Sequence, residues 1–146
     1  MKISKDFLLE EFIDPDTYKV FGDSSIWFID PRIITIAQFI RDKFNKAITI
    51  NDWHTGGNYK LSGFRPGDTM IGATFSQHRY GRAIDIKIEN LPNNGANELR
   101  NDIIANFQIY NNLGLTTIES GIFSQNWVHV DCRYIFNKKE LFIVKP

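Results

Sequence analysis

Apolar residues recur at helical spacing directly after Asp30-Pro31. They are Ile33, Ile36, Ala37, Ile40 and Phe44, and they share one face of a helix. An aspartate followed by proline is typical of a helix N-cap and first helical position. The pattern therefore predicts a helix from residue 31 that ends near Asn45. Ile34 and Phe39 lie off the stripe, which predicts burial on a second side.

A second apolar repeat predicts another helix over 96–110, the segment ANELRNDIIANFQIY. Its predicted inward residues are Leu99, Ile103, Ile104 and Phe107. Gly114 follows near the place where a C-terminal cap is expected.

Strand periodicity is clearest over 83–88, where Ile84, Ile86 and Ile88 alternate with Ala83, Asp85 and Lys87. This alternation predicts a half-buried strand. Further strands are predicted over 47–53, 115–119 and 127–133, with an edge strand over 141–144. Residues 54–75 contain five glycines and a proline and predict a long loop, and loops of that length are usually functional. Helices and strands alternate irregularly, which predicts an α+β fold with a small antiparallel sheet and flanking helices.

Length and composition indicate one globular domain over 1–146, with residues 1–30 as a wrapping N-terminal segment. Seventeen basic residues balance seventeen acidic ones, which excludes a nucleic-acid binder that works by bulk charge. The single cysteine, Cys132, excludes an internal disulfide framework. The apolar stretches are too short for a transmembrane helix, and acidic residues interrupt the N-terminus before a signal sequence can form. We therefore expect synthesis in a cytoplasm and no membrane insertion.

Two of the three histidines are close to predicted strands, His129 within one and His78 just before another. Along 127–133, Val128, Val130 and Cys132 share the apolar face, which puts His129 on the other face; Asp85 likewise lies opposite the isoleucines of its strand. If these strands pair, both side chains reach one groove, and His78 precedes the first strand with a glycine turn between. Two imidazoles and one carboxylate are the composition of a catalytic zinc site with its fourth position left for water. Spacing alone also permits ordinary structural roles for these residues.

The motif Ser76-x-His78-x-x-Gly81-x-Ala83-x-Asp85, followed by Trp127-Val128-His129-Val130, resembles the zinc D,D-peptidase family. That family includes D-Ala-D-Ala carboxypeptidases, vancomycin-resistance D,D-dipeptidases and phage L-alanyl-D-glutamate endolysins, and the hedgehog signalling domain shares its fold. The resemblance covers roughly residues 30–135. Leu61-Ser62-Gly63-Phe64-Arg65 is similar to the family's SGYR segment, and residues 51–57 resemble phage-encoded members in particular. The resemblance implies one Zn²⁺ ion held by His78, Asp85 and His129.

The resemblance also implies roles for the residues around the metal. Many members carry a catalytic acid three residues before the second histidine, but this chain has Asn126 there, which cannot act as a base. Glu119 is similar to the glutamate that other branches carry on the preceding strand, and a bulge over 121–125 would restore its distance. A solvated charge at a strand end is the alternative for Glu119. Asp131, on the face of His129, is either the base or a group that orients that ligand.

Four residues are candidates for binding the substrate. Arg65 resembles the family arginine that holds a substrate carbonyl or carboxylate, its alternative being a loop salt bridge to Asp68. Ser76 is expected to hydrogen-bond near the metal or substrate. His54 and Trp127 are placed at the cleft, with surface and core roles as their respective alternatives. Cys132, on the apolar face, is predicted to be a buried hydrophobe rather than a nucleophile.

The function that the resemblance implies is a zinc metallopeptidase that cuts peptidoglycan stem peptides or cross-links, of phage or prophage type. The missing signal implies holin-dependent release or carriage in a virion before the protein reaches the cell wall. A peptidase-like domain without activity, which binds zinc for stability or presents a partner surface, is the alternative. A metal-finger nuclease using His54 and Asn58 is disfavoured by the neutral charge.

Overall fold

The computed structural model describes residues 1–136 and 139–145. Its α-helices are α1 (Pro15–Phe21), α2 (Pro31–Phe44), α3 (Ala96–Ala105) and α4 (Phe107–Asn112). Its strands are β1 (Ile48–Thr49), β2 (Ala83–Ile88), β3 (Thr117–Glu119), β4 (Val128–Asp131) and β5 (Phe142–Val144). Short 3-10 turns lie at Leu9–Glu11, Gly22–Phe28, Trp53–Thr55, Gln77–Tyr80 and Pro92–Gly95. This arrangement confirms the α+β class.

The helix predicted after Asp30 is confirmed at both ends. The Asp30 carboxylate accepts a hydrogen bond from the Arg32 N–H, which caps the helix start. Asn45 ends the helix in the left-handed conformation, with φ 50°. The predicted stripe faces the core, with Phe44 half-buried at its end.

The second predicted helix is wrong in one respect, because it is two helices with a break at Asn106. The Asn106 side chain bonds to both the backbone carbonyl and the carboxylate of Asp102, which competes with helix continuation. Its backbone leaves the helical region, with φ −119° and ψ 26°. Ile104, predicted to face inward, is 54% exposed, and Tyr110 of α4 is fully buried instead.

The five strands form one sheet in the order β1-β2-β4-β3-β5. The first three pairings are antiparallel, but β3 and β5 are parallel, so the prediction of a wholly antiparallel sheet is wrong. β1 is also shorter than predicted. From Asn51 the chain leaves the sheet, because the Asn51 N–H and side-chain amide donate to the carbonyls of Glu11 and Ile13 instead.

Strand β2 is buried on both faces, whereas the alternation predicted one exposed face. The isoleucine face packs in the core with α2 and α3. The opposite face is covered by the long loop between β1 and β2, whose Ser62 carbonyl accepts a hydrogen bond from the Asp85 N–H at 2.8 Å. Polar residues on this face are therefore enclosed rather than solvated.

The N-terminal segment contributes to the core rather than only covering it. Phe7, Leu9, Phe12 and Ile13 are almost completely buried among the core residues. Phe12 also accepts a hydrogen bond from the Phe64 N–H through its carbonyl at 2.7 Å, which ties this segment to the loop over β2. No helix within the described residues combines the length and apolarity needed to cross a membrane.

Candidate metal centre

Strands β2 and β4 bring the three predicted ligands together. Asp85 and His129 are direct partners in the antiparallel register, so their side chains leave the same face of the sheet. His78 lies in the 3-10 turn Gln77–Tyr80 before β2. All three side chains are buried, and His78 is only 1% exposed.

The hydrogen bonds on the far sides of the two imidazoles decide which ring nitrogens face each other. His78 Nδ1 lies 2.7 Å from the Gly63 carbonyl, which can only accept, so Nδ1 carries the proton. His129 Nε2 lies 3.1 Å from the Asp131 carboxylate and donates to it in the same way. His78 Nε2 and His129 Nδ1 are thereby left as the ligand atoms.

The three ligand atoms form a compact triangle. His129 Nδ1 is 3.0 Å from both His78 Nε2 and Asp85 Oδ1, and the third side, from His78 Nε2 to Asp85 Oδ1, is 3.3 Å. Ligands about 2.0–2.1 Å from a tetrahedral ion are about 3.3 Å from one another. The buried His-Asp-His group can therefore hold a metal ion, since a small ion fits these donors with little movement.

Electrostatics within the cluster favour an ionised carboxylate. Burial alone would raise the pKa of Asp85, but the two histidines outweigh it and hold that pKa well below the usual value. Burial lowers the pKa of His78. Burial also acts to lower the pKa of His129, but the hydrogen bonds to Asp131 and Asp85 outweigh burial and raise that pKa to about 9. A protonated His129 must therefore release its Nδ1 proton before a cation binds among these side chains.

The segment 61–65 holds the cluster in place through its backbone. Successive carbonyls of Leu61, Ser62 and Gly63 accept hydrogen bonds from the Arg65 side chain, the Asp85 N–H and the His78 ring. Gly63 has no room for a side chain, because a Cβ there would lie 2.2 Å from the Phe12 carbonyl oxygen. The motif that resembles SGYR is therefore a structural support for two ligands.

Gly81 ends the turn that carries His78 and starts the path into β2. Its φ is +64°, and an added Cβ would lie 1.7 Å from the Phe28 carbonyl oxygen. The predicted glycine turn between His78 and Asp85 is therefore confirmed, and only glycine fits it.

The ligands lie at a cavity of about 550 Å³, which we call the metal cavity. Four other residues predicted for the site line it with them: Arg65, Ser76, Glu119 and Trp127. Apolar parts of the wall come from the 71–75 loop and from β5, including Phe75 and Val144.

Glu119, at the end of β3, faces this cavity and is half-buried. Burial raises the pKa of its carboxyl; the nearby His129 opposes the rise and Asp85 adds to it. The β3–β4 hairpin turns over residues 121–126, a segment that includes the predicted bulge over 121–125. A half-buried carboxyl with a raised pKa beside a candidate metal centre is a candidate for proton transfer.

Arg65 pairs with Asp85 rather than with Asp68, at 2.9 Å from Nη2 to Oδ2. Its Nε donates to the Leu61 carbonyl at 2.6 Å. Within residues 1–136 and 139–145 the remaining nitrogen, Nη1, has no hydrogen-bond partner. Arg65 therefore both orients a ligand carboxylate and retains a donor for another group at the cavity.

Two predicted site residues lie outside the cavity. Asp131 is fully buried behind His129 and also pairs with Arg133 at 2.5 Å, a position that suits the predicted role of orienting the imidazole. Burial alone would raise the pKa of Asp131, but the hydrogen bonds from His129 and Arg133 outweigh it and lower that pKa. His54 is not among the residues that line the metal cavity, and its ring lies against the ring of Trp53.

Cys132 is 1% exposed, as predicted for a buried hydrophobe. Burial raises the pKa of its thiol to about 12, so the thiolate that a cysteine peptidase requires does not form at neutral pH.

Sequence reasoning did not identify Lys87 and Arg100 as functional candidates. The alternation predicts only that Lys87 lies on the non-core face of β2, whereas the structure buries its ammonium, and this burial lowers the pKa to about 8. The helical pattern predicts only that Arg100 lies in a helix, whereas its guanidinium binds Ser124 and the Trp127 carbonyl in the β3–β4 hairpin. The sequence does carry a signal for Lys87, since it shares a strand face with the predicted ligand Asp85. It carries none for Arg100, because the contacts of that side chain join segments that are distant in the chain.

Comparison with protein-family models, with curated proteins and with solved structures finds no match to this chain. The family resemblance therefore rests on the sequence motifs alone.

Proposed function

We propose that this protein is a zinc-dependent metallopeptidase that hydrolyses peptide bonds in peptidoglycan stem peptides or cross-links, of the phage or prophage type. The observation that carries the proposal is the His78, Asp85 and His129 triangle at a cavity that Glu119 also lines. Two imidazoles and one carboxylate match the ligand sets of catalytic zinc sites, which keep one position open. When bound, the ion supplies Lewis acidity that polarises a carbonyl and acidifies water.

Glu119 is the proton carrier in this proposal. Its carboxylate takes a proton from the attacking water as the oxygen bonds to the amide carbon, and it returns the proton to the leaving nitrogen when the C–N bond breaks. The water is thereby divided between the new carboxylate and the released amine. Half-burial and a raised pKa suit a group that must both accept and donate.

Arg65 and Trp127 position the peptide. Arg65 Nη1, which has no hydrogen-bond partner among the described residues, donates to a substrate carbonyl or carboxylate oxygen, while the pairing with Asp85 keeps the guanidinium in place. Trp127 forms an apolar wall against the stem peptide. Asp131 and the Gly63 carbonyl keep the imidazoles in the required tautomers.

Digestion of purified peptidoglycan tests the proposal. Zinc-loaded wild type, Glu119→Gln and the control Glu98→Gln, on the first turn of α3, are incubated with sacculi, and released peptides are identified by mass spectrometry. We expect wild type and Glu98→Gln to release stem peptides, and Glu119→Gln to keep zinc while losing at least about 100-fold in rate. Full activity in Glu119→Gln would remove the base assignment. Firm zinc binding without cleavage of any wall type would favour the catalytically inactive zinc-binding domain.

A further inference from the structure

A second cavity, of about 560 Å³, adjoins the metal cavity across the Arg65–Asp85 pair. The two cavities share Arg65, Ile71, Asp85 and Trp127. A chain lying across the metal centre therefore extends into both. We call the second one the lysine cavity, and its other lining residues are Asn58, Tyr59, Lys60, Leu61, Ser62 and Lys87.

Lys87 is a buried cation at this cavity, with 5% of its surface exposed. Its Nζ donates to the Ile50 carbonyl at 3.1 Å, to Ser62 Oγ at 2.9 Å and to the Asp85 carbonyl at 3.4 Å. It also lies 4.0 Å from the Tyr59 ring centre. These contacts are with neutral groups, and across the described ranges no carboxylate lies within ion-pair distance of this ammonium. The carboxylates of Asp85 and Asp52 act on the ammonium from beyond ion-pair distance. A buried charge without a contacting opposite charge is costly, and an incoming anion relieves the cost.

Lys60 adds a second positive charge to the lining. Its side chain is exposed and forms no ion pair with any residue that the structure describes. Among the described residues that line this cavity, Asp85 alone carries a carboxylate, and both of its oxygens are engaged, Oδ1 by the two histidines and Oδ2 by Arg65. The lysine cavity therefore has an excess of positive charge that a metal ion would increase.

We propose that the lysine cavity binds a carboxylate of the substrate, next to the bond that is cut at the metal centre. Lys60 contacts the carboxylate directly, and the positive charge of the buried Lys87 attracts the carboxylate from the floor of the cavity. Tyr59 and Trp127 cover the apolar atoms beside it. The inference rests on the proposed function, since it assigns the charge of the substrate at that site. A stem peptide has two such sources, the α-carboxylate of its γ-linked glutamate and its C-terminal carboxylate.

Binding of matched peptides tests the proposal without requiring hydrolysis. Zinc-loaded Glu119→Gln is titrated with L-alanyl-γ-D-glutamyl-L-lysyl-D-alanyl-D-alanine and with two amides of it, one at the glutamate and one at the C-terminus. Titration calorimetry gives the dissociation constants. The same titrations are repeated in backgrounds carrying Lys60→Met, Lys87→Met or the control Lys19→Met, which alters an exposed lysine of α1 outside both cavities.

We expect one of the two amides to bind at least about tenfold more weakly than the free acid, and the position of that amide identifies the carboxylate. The ratio of the dissociation constant of that amide to that of the free acid is expected to fall below about threefold in Lys60→Met. The ratio should also decrease in Lys87→Met, and it should keep its full value in Lys19→Met. It should also decrease with added salt. Because Lys60 is exposed, its variant is expected to fold even if Lys87→Met does not.

Two results would overturn the proposal: equal binding of the acid and both amides, or the full ratio persisting in Lys60→Met. Failure of the proposed function gives a different result. In that case wild type cuts none of the three peptides, while the carboxylate-dependent binding and its loss in Lys60→Met are still observed.

Discussion

Zinc is expected to stabilise the fold through His78, and the chain contains a matched control for this prediction. His78→Asn removes the Nε2 ligand atom, whereas the asparagine amide can still donate to the Gly63 carbonyl that His78 Nδ1 contacts at 2.7 Å. The metal-free variant should therefore fold. His54→Asn makes the same chemical change at a histidine that lies away from both cavities.

The size of the effect follows from mass action. At a free zinc concentration 100 times the dissociation constant, binding to the folded state alone adds about 2.7 kcal/mol to the free energy of unfolding. For a chain of this length each 1 kcal/mol raises Tm by about 3–4 °C, so the expected rise is about 8–10 °C. Losing one of three protein ligands should reduce that rise to about 2 °C or less at the same zinc concentration.

Thermal melts followed by circular dichroism, with zinc and with a chelator, measure this rise in wild type and both variants. Wild type and His54→Asn are expected to show the full rise and to lose it with the chelator. A full rise in His78→Asn would refute the assignment of the ligands. A rise that disappears in His54→Asn would place the ion elsewhere, and no rise in wild type would mean that the cluster does not hold zinc.

Three further predictions concern other parts of the molecule. Burial and the hydrogen bond to Asp102 raise the pKa of Tyr110 above 10, so the contribution of Tyr110 to stability is complete below pH 10 and is lost as the pH rises through the folded-state pKa. Tyr110→Phe should therefore reduce the fall, above pH 10, in the free energy of unfolding measured with urea. An unchanged dependence of that free energy on pH would contradict this prediction. Cys132 should react with a thiol reagent at least about 100-fold more slowly in the native protein than in urea, and comparable rates would mean that the strand opens readily. Arg100 binds the backbone carbonyl of Trp127, so Arg100→Met should lower the free energy of unfolding by about 1–3 kcal/mol and change the fluorescence of Trp127, while zinc affinity stays the same. An unaltered fluorescence spectrum would show that Arg100 does not hold the β3–β4 hairpin.

Local patterns in the sequence determined the elements whose causes lie within a few residues. Helix α2 was predicted at both ends because its caps, Asp30 and Asn45, bond to the backbone beside them. The alternation over 83–88 placed Asp85 on the face away from the isoleucines, and the same reasoning placed His129. Alternation therefore predicts the faces of two of the three candidate metal ligands, while the third, His78, is predicted from its place before the first strand and from the motif resemblance.

Tertiary structure alone decided the register, the covering segments and the depth of each charge. The direct pairing of Asp85 with His129 joins segments more than forty residues apart, and the tautomers depend on Gly63 and Asp131. In the sequence Asp131 and Lys87 are ordinary polar positions on strands, yet long-range packing buries both side chains. As a result, Asp131 is placed to orient His129, and Lys87 adds positive charge to the lysine cavity. Local periodicity specifies which face a side chain takes, but what covers that face is set by packing between distant parts of the chain.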